Sequence, residues 1–342
     1  MRVFSVKPGP MSVKRVNLLF LTAFMLSSSC AWANVEKGQE YYNSGQYKLA
    51  YQEFHDSALE GDPVAEYRLG YLYEGGLGVA MDLKLASEWY QKSASNGNTD
   101  AASAQKRLAR QAIDAQVARG FEYYGARQYK EAYQEWYSAA LAGSSVAQNN
   151  VANFYYNGLG VSVDYAQALS WFRRAADQNN SEAQYSLGVM YQNGIGVQRD
   201  AALATGRYGQ SARLGNAKAQ SAFGYMYETG KGVQQDSALA MIWYRKSAEQ
   251  GWDEGQSNLG NAYLSGVITT RDYAEALKWL RKSADQDFAA GEYALGTMYE
   301  FGKGVTLSVD DATKWYQKAA DQGFQPAIDA LKLLKDSLNN FG

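Results

Sequence analysis

From residue 34 onward apolar residues recur at helical spacing, broken at fixed intervals by glycine pairs or short polar turns. Ala65, Leu69, Leu72 and Tyr73 fall at i, i+4, i+7 and i+8, the stripe of a helix that buries one face. After Gly76-Leu77-Gly78-Val79 the pattern returns in Ala86, Trp89, Tyr90 and Ala94. Two antiparallel helices joined by a tight turn are predicted. Gly76 and Gly78 can take the positive φ that ends a helix and turns the chain, because they carry no Cβ. Asp82 then stands where an N-cap is needed for the second helix.

The pattern has a period. The alanine three residues before the aromatic pair occurs as Ala50, Ala86, Ala132, Ala168, Ala204, Ala240, Ala276 and Ala312, with steps of 36 residues except the 46 between Ala86 and Ala132. Eight helix pairs and one insertion follow, and a fixed period of this kind is the mark of a solenoid, whose units bury their apolar faces only against neighbours. Turn and cap recur as Gly158, Gly160 and Asp164, as Gly194, Gly196 and Asp200, and as Gly230, Gly232 and Asp236, with Asp272 next and Gly302 and Gly304 last. The first and third pairs use polar turns instead, Asn43-Ser44-Gly45-Gln46-Tyr47 and Gly125-Ala126-Arg127-Gln128-Tyr129.

The insertion, 102–119, contains no helix breaker and is expected to lengthen a helix that joins the first two units, 34–101, to six further units, 120–326. Residues 327–342 are expected to form a polar capping helix. Two departures stand out. Arg207 replaces a tryptophan between Gly206 and Gly209, so its helix should be the weakest of the array. Gly266-Val267-Ile268-Thr269 lacks the second glycine and predicts a remodelled turn.

The motif L-G-x-x-Y-x-x-G-x-G-V-x-x-D-x-x-x-A-x-x-W-Y-x-x-A-A-x-x-G-x-x-x-A resembles the Sel-1-like repeat of the tetratricopeptide superfamily, in six units: 65–100, 147–182, 183–218, 219–254, 255–290 and 291–326. The resemblance implies an all-α fold, an α-solenoid of about eight antiparallel helix pairs, two of them tetratricopeptide-like, wound into a right-handed superhelix. It also implies a non-enzymatic scaffold or adaptor without cofactor.

Composition narrows the setting. Lys14 and Arg15, the apolar run Leu18 to Leu26 and the small-x-small Ala31-Trp32-Ala33 make 1–33 an export signal, and the mature chain is expected in the periplasm or outside the cell. Cys30, the single cysteine, offers the alternative of a lipid anchor, although Ser27 stands where lipoprotein signals carry an aliphatic residue. Without 1–33 the chain holds 29 basic against 35 acidic residues, and no basic run marks it for nucleic acid.

Little chemistry is on offer. His55 is the single histidine and the mature chain has no thiol, so common triads and zinc sites cannot be assembled, and neither catalytic nor metal residues are expected. Ser103-Ala104-Gln105-Lys106 matches the S-x-x-K of penicillin-binding proteins but lies in the inserted helix without companion motifs. A cell-wall-directed protein, either an enzyme of that kind or a peptidoglycan or polysaccharide binder, is the alternative to a scaffold. Were the first helices to line a concave face, Tyr67, Tyr71, Asn149, Asn153, Tyr185, Tyr225, Asn261 and Tyr293 would point into it, alongside Val189, Ser221, Ser257 and Thr297. Tyrosine offers area and a hydrogen-bonding tip at low entropic cost, which suits a protein partner. Trp252, after Gly251, stands outside the core stripes.

Overall fold

Capping and turn chemistry divide the chain into the helices that its periodicity demands. The computed structural model describes residues 34–341, within which lie seventeen α-helices and no strand. The export segment and Cys30 lie outside the described residues. The helices are α1 (34–43), α2 (Tyr47–Leu59), α3 (Pro63–Gly75), α4 (Leu83–Ser95), α5 (Thr99–Gly125), α6 (Tyr129–Leu141), α7 (Ser145–Asn157), α8 (Tyr165–Asp177) and α9 (Ser181–Asn193). They continue as α10 (Ala201–Arg213), α11 (Ala217–Thr229), α12 (Ser237–Glu249), α13 (Asp253–Ser265), α14 (Tyr273–Ala284), α15 (Ala289–Glu300), α16 (Val309–Asp321) and α17 (Gln325–Phe341). The protein is an all-α solenoid of consecutive helix pairs.

Two compact units are present, one ending at Ala115 and the other beginning at Gln116, both inside the 27-residue α5. In the first unit the early part of α5 covers α4, with Ala101, Ala104 and Leu108 packed on Ala86 and Tyr90. In the second unit the end of α5 pairs with α6, Phe121 meeting Trp136 edge-on at 5.1 Å. At the far end α17 covers α16 through Ala327, Leu331 and Leu334.

The caps form at the expected residues. Asp82, Asp164, Asp200, Asp236 and Asp272 each accept from backbone N–H groups of the helix that follows, and Ser308 does so for α16. Asp62, Ser144, Asn180 and Asn216 cap α3, α7, α9 and α11 in the same way. The first turn glycine is left-handed at Gly76, Gly158, Gly194, Gly230 and Gly266, and Gly302 takes the same conformation just past the end of α15.

The second turn glycine answers a different demand. Gly78, Gly160, Gly196, Gly232 and Gly304 lie against the first residue of the preceding pair's second helix, respectively Tyr47, Tyr129, Tyr165, Ala201 and Tyr273, with no room for a β-carbon. Ile268 cannot be accommodated in that conformation. The turn there keeps φ out of the left-handed region, and Ile268 packs instead against the core cluster of Ala240, Tyr244, Ala248, Leu259 and Trp279, which is the remodelling expected. By contrast α10 runs the same 13 residues as α8 and α12 despite Gly206 and Gly209, and Gly209 lies close against the ring of Phe223.

Candidate functional site

Within the second unit the first helices α11, α13 and α15 touch one another in succession, while the second helices α12, α14 and α16 are spaced further apart. Closer spacing on one side curves a stack toward that side, so the first helices line its inner face.

Ring packing decides how much of the tyrosine and asparagine row stays open. Tyr67, Tyr185 and Tyr293 lean on the buried Tyr90, Tyr208 and Tyr316 of their own pairs, with centroids 5.6, 5.7 and 5.4 Å apart. Each is half-buried and keeps one edge open. Tyr71 is exposed and meets Tyr42 edge-on at 6.0 Å. Asn149 departs from the expectation of an inward-pointing surface residue, being only 8% exposed, and Ser221 and Ser257 are buried as well. At Ser221 the next first helix closes over the position, Asn258 donating to its hydroxyl.

Three hollows gather the remainder. One of about 500 Å³ is lined by Tyr225, Glu228, Asn258, Asn261, Arg271 and Lys303 among others. A second, about 390 Å³, holds Asn150, Asn153 and Asn157 opposite Phe121, Tyr124 and Trp136. The third, about 230 Å³, shares Asn153 and adds Tyr156, Phe172, Tyr185 and Val189. The structure therefore brings Tyr225 together with Asn261 and Asn153 together with Tyr185. Tyr67 and Tyr71 belong to the first unit, apart from these groups.

Buried polar side chains are occupied in holding the repeats together. Gln148, Gln184, Gln220 and Gln256 donate through Nε2 to the carbonyls of Ala140, Ala176, Ala212 and Ala248 in the preceding pair. Their Oε1 atoms accept from Gln178, Arg207, Gln250 and Gln286 respectively. Glu66 and Glu292 take the same place at the two ends. Glu66 pairs with Lys92 at 3.0 Å, and the same ammonium donates to the Ala58 carbonyl that a glutamine would otherwise reach. Among the described residues Glu292 accepts from Gln322, and burial pushes its carboxyl above the ordinary range.

The tyrosines at the second helices are equally committed. The hydroxyls of Tyr90, Tyr244 and Tyr316 donate to Glu74, Glu228 and Glu300, and burial together with those carboxylates holds each phenol protonated. Tyr208 donates to Gln192, and burial raises it too. Along the outer edge Lys92, Arg174, Lys246, Lys282 and Lys318 lie 4.5 to 5.0 Å from the rings of Trp89, Trp171, Trp243, Trp279 and Trp315. The rung that would fall between Trp171 and Trp243 is the one where Arg207 stands, turned to Gln184 and Gln210.

The sequence's reactive candidates are unremarkable in place. His55 stacks beside Tyr51 with Nδ1 3.8 Å from Asp56. Ser103 donates to the Thr99 carbonyl four residues back and Lys106 is exposed, so neither activates the other. Trp252 is half-buried with Lys218 at 5.5 Å from its ring. No cluster of histidine, cysteine and carboxylate side chains fit for a metal occurs among the described residues, nor any helix long and apolar enough to cross a membrane.

A family model for the Sel1 repeat matches residues 63–98, 145–180, 181–216, 217–252, 253–288 and 289–324, six stretches in step with the motif. Among solved structures, a protective antigen present in uropathogenic Escherichia coli strains, with an SLR fold, is 31% identical over 92% of this chain at a TM-score of 0.57. This chain covers 66% of that antigen, just under two thirds of its length. A Sel1 repeat protein from Oxalobacter formigenes is 26% identical over 84% of this chain and 96% of its own, at a TM-score of 0.48. No curated protein matches the sequence.

Proposed function

Because the chain belongs to the Sel1 repeat family, six of whose repeats it carries, we propose that it is a non-enzymatic scaffold of the bacterial cell envelope that binds a partner protein along the inner face of its first helices. Repeat proteins of this family generally serve as scaffolds for contacts between proteins. One observation carries the finer reading. The hollow that holds Tyr225 and Asn261 is open, mixed in polarity and built by three successive pairs, while Glu228 and Glu300 are bound to the buried phenols of Tyr244 and Tyr316. Such a surface recognises an extended chain and offers no activated nucleophile.

The envelope setting rests on the export segment of the sequence, and the likeness to a protective antigen is in keeping with it. Tyr225, Asn261 and Asn153 are the residues assigned to contact, with the exposed edge of Tyr185. Replacing Tyr225 and Asn261 together by alanine should abolish partner capture while the protein stays folded with its helical content unchanged, its melting lowered only by the loss of Tyr225 packing on the core around Tyr244. Retention of the partner by that folded double variant would overturn the reading.

A further inference from the structure

The hollow lined by Tyr225, Asn258, Asn261, Arg271 and Lys303 carries a charge pattern that its repeat position does not call for. Between the two turn glycines the earlier pairs have Leu77, Leu159 and Ile195, all half-buried, and Leu77 packs into the core around Ala50 and Phe54. The last three pairs have Lys231, Val267 and Lys303 in that place, Val267 being 82% exposed. Apolar turn anchors have been exchanged for two cations and a solvent-facing side chain. Arg271 joins them from the remodelled turn.

None of Lys231, Arg271 and Lys303 has a carboxylate within 4.0 Å among the described residues. Lys231 donates to the Tyr225 hydroxyl at 2.6 Å, Arg271 donates to the Ser265 carbonyl at 2.9 Å, and Lys303 lies 5.1 Å from the Phe301 ring. Each keeps donors to spare. The one carboxylate in the lining, Glu228, accepts from Tyr244. Two cations, Arg271 and Lys303, thus line the hollow with one committed carboxylate, and Lys231 adds a third at the Tyr225 hydroxyl, in a chain whose residues after 33 carry an excess of acid.

We propose that this hollow receives the carboxylate side chains of an extended acidic segment of the partner protein, an inference that rests on the inner-face reading above. Asn258 and Asn261 favour a peptide over other anions. Both residues line the hollow, and their Nδ2 groups donate to Ser221 and Ser257, which leaves the amide oxygens as the acceptors they can offer to backbone N–H groups. A polypeptide supplies such donors at every residue, whereas an acidic polysaccharide or a phosphate offers mainly acceptors. Spare cations in an otherwise acidic molecule also steer an acidic segment to this one place.

The test is fluorescence anisotropy of a labelled oligoglutamate peptide with the whole protein, beside an oligoglutamine peptide of equal length. Oligoglutamate should bind and oligoglutamine should not, and added salt should weaken the complex. Arg271→Gln with Lys303→Gln should weaken it about tenfold, with unchanged melting because neither side chain is part of the core. Equal binding of both peptides, indifference to the double variant, or no binding of oligoglutamate overturns the inference, as does capture of polygalacturonate in its stead. If oligoglutamate fails while a photo-cross-linking amino acid placed at position 225 still captures a partner protein, the acidic segment falls and the inner-face reading stands.

Discussion

Gly188 lies flat against the ring of Tyr208, so close that a β-carbon on it would stand 2.5 Å from Cδ1 and Cε1. The ring is buried and its hydroxyl is tied to Gln192 at 2.7 Å, so it cannot withdraw. The same contact recurs between Gly70 and Tyr90, Gly224 and Tyr244, and Gly296 and Tyr316. This is why the motif asks for glycine inside a helix, where it otherwise costs about 0.5–1 kcal/mol relative to alanine.

Two alanine substitutions should therefore move in opposite directions. Gly188→Ala is expected to destabilise by about 1–3 kcal/mol through overpacking. Gly206→Ala, in α10 with nothing within 4 Å of its β-carbon, should stabilise by about 0.5–1 kcal/mol. Thermal melting followed by circular dichroism reads both, and a shared sign would contradict the packing account.

Gly232 is held by its conformation and by its neighbour at once. Its φ is +71°, and a β-carbon would land on the carbonyl of Ala201. Gly232→Ala should cost about 2 kcal/mol or more, seen as a lower melting temperature and faster amide exchange in α10 and the turn. Exchange unchanged in both would show that the turn adapts, as the one at Ile268 does.

Arg207 occupies the place of a tryptophan for a reason that lies seven residues further on, just past the end of α10. Gln178, Gln250 and Gln286 supply the donor to the glutamine of their own pairs, but the corresponding residue in α10's pair is Leu214, and Arg207 donates to Gln184 instead, at 3.1 Å. Arg207→Ala should leave the buried Gln184 oxygen unpaired at about 1–3 kcal/mol. Adding Leu214→Gln should restore most of that loss in a double-variant cycle, and additive effects would refute the compensation.

Glu292 is 1% exposed where four sister pairs carry glutamine. Burial chiefly raises its carboxyl, Asp287 and Asp321 add to the shift, and Lys318 and Gln322 oppose it. A folded value above the unfolded one means that its favourable contribution is present at low pH and lost as pH rises through the raised value. Glu292→Gln should accordingly stabilise the protein at neutral pH, by about 1 kcal/mol, and the advantage should fade toward about pH 4, where unfolded glutamate is protonated. A pH-independent difference in melting would show that folding does not raise the carboxyl at all.

Local devices were legible in the chain and distant ones were not. The helix pairs, the left-handed Gly76 and its counterparts, and the Asp82 series of caps follow from a few adjacent residues, whose chemistry fixes the backbone without help from elsewhere. The remodelled turn at Ile268 was legible for the same reason. The glutamine ladder was not, because Gln148 meets Gln178 across 30 residues and neither has a distinctive neighbour. Asn149 and Asn153 look alike in the repeat, yet one is buried and the other lines two hollows, a difference set by how closely adjacent helices approach. The cationic turns were in plain view as Lys231 and Lys303, but only the fold shows that Lys303 and Arg271 line one hollow and that Lys231 reaches its Tyr225.

The most direct measurement is site-specific photo-cross-linking in the native envelope, with a benzophenone amino acid in place of Tyr225 on the inner face and, separately, in place of the exposed Ile242 on α12. The account predicts a discrete adduct with a partner protein from position 225 and none from position 242. Adducts from position 242 alone, or equal labelling from both, would contradict it.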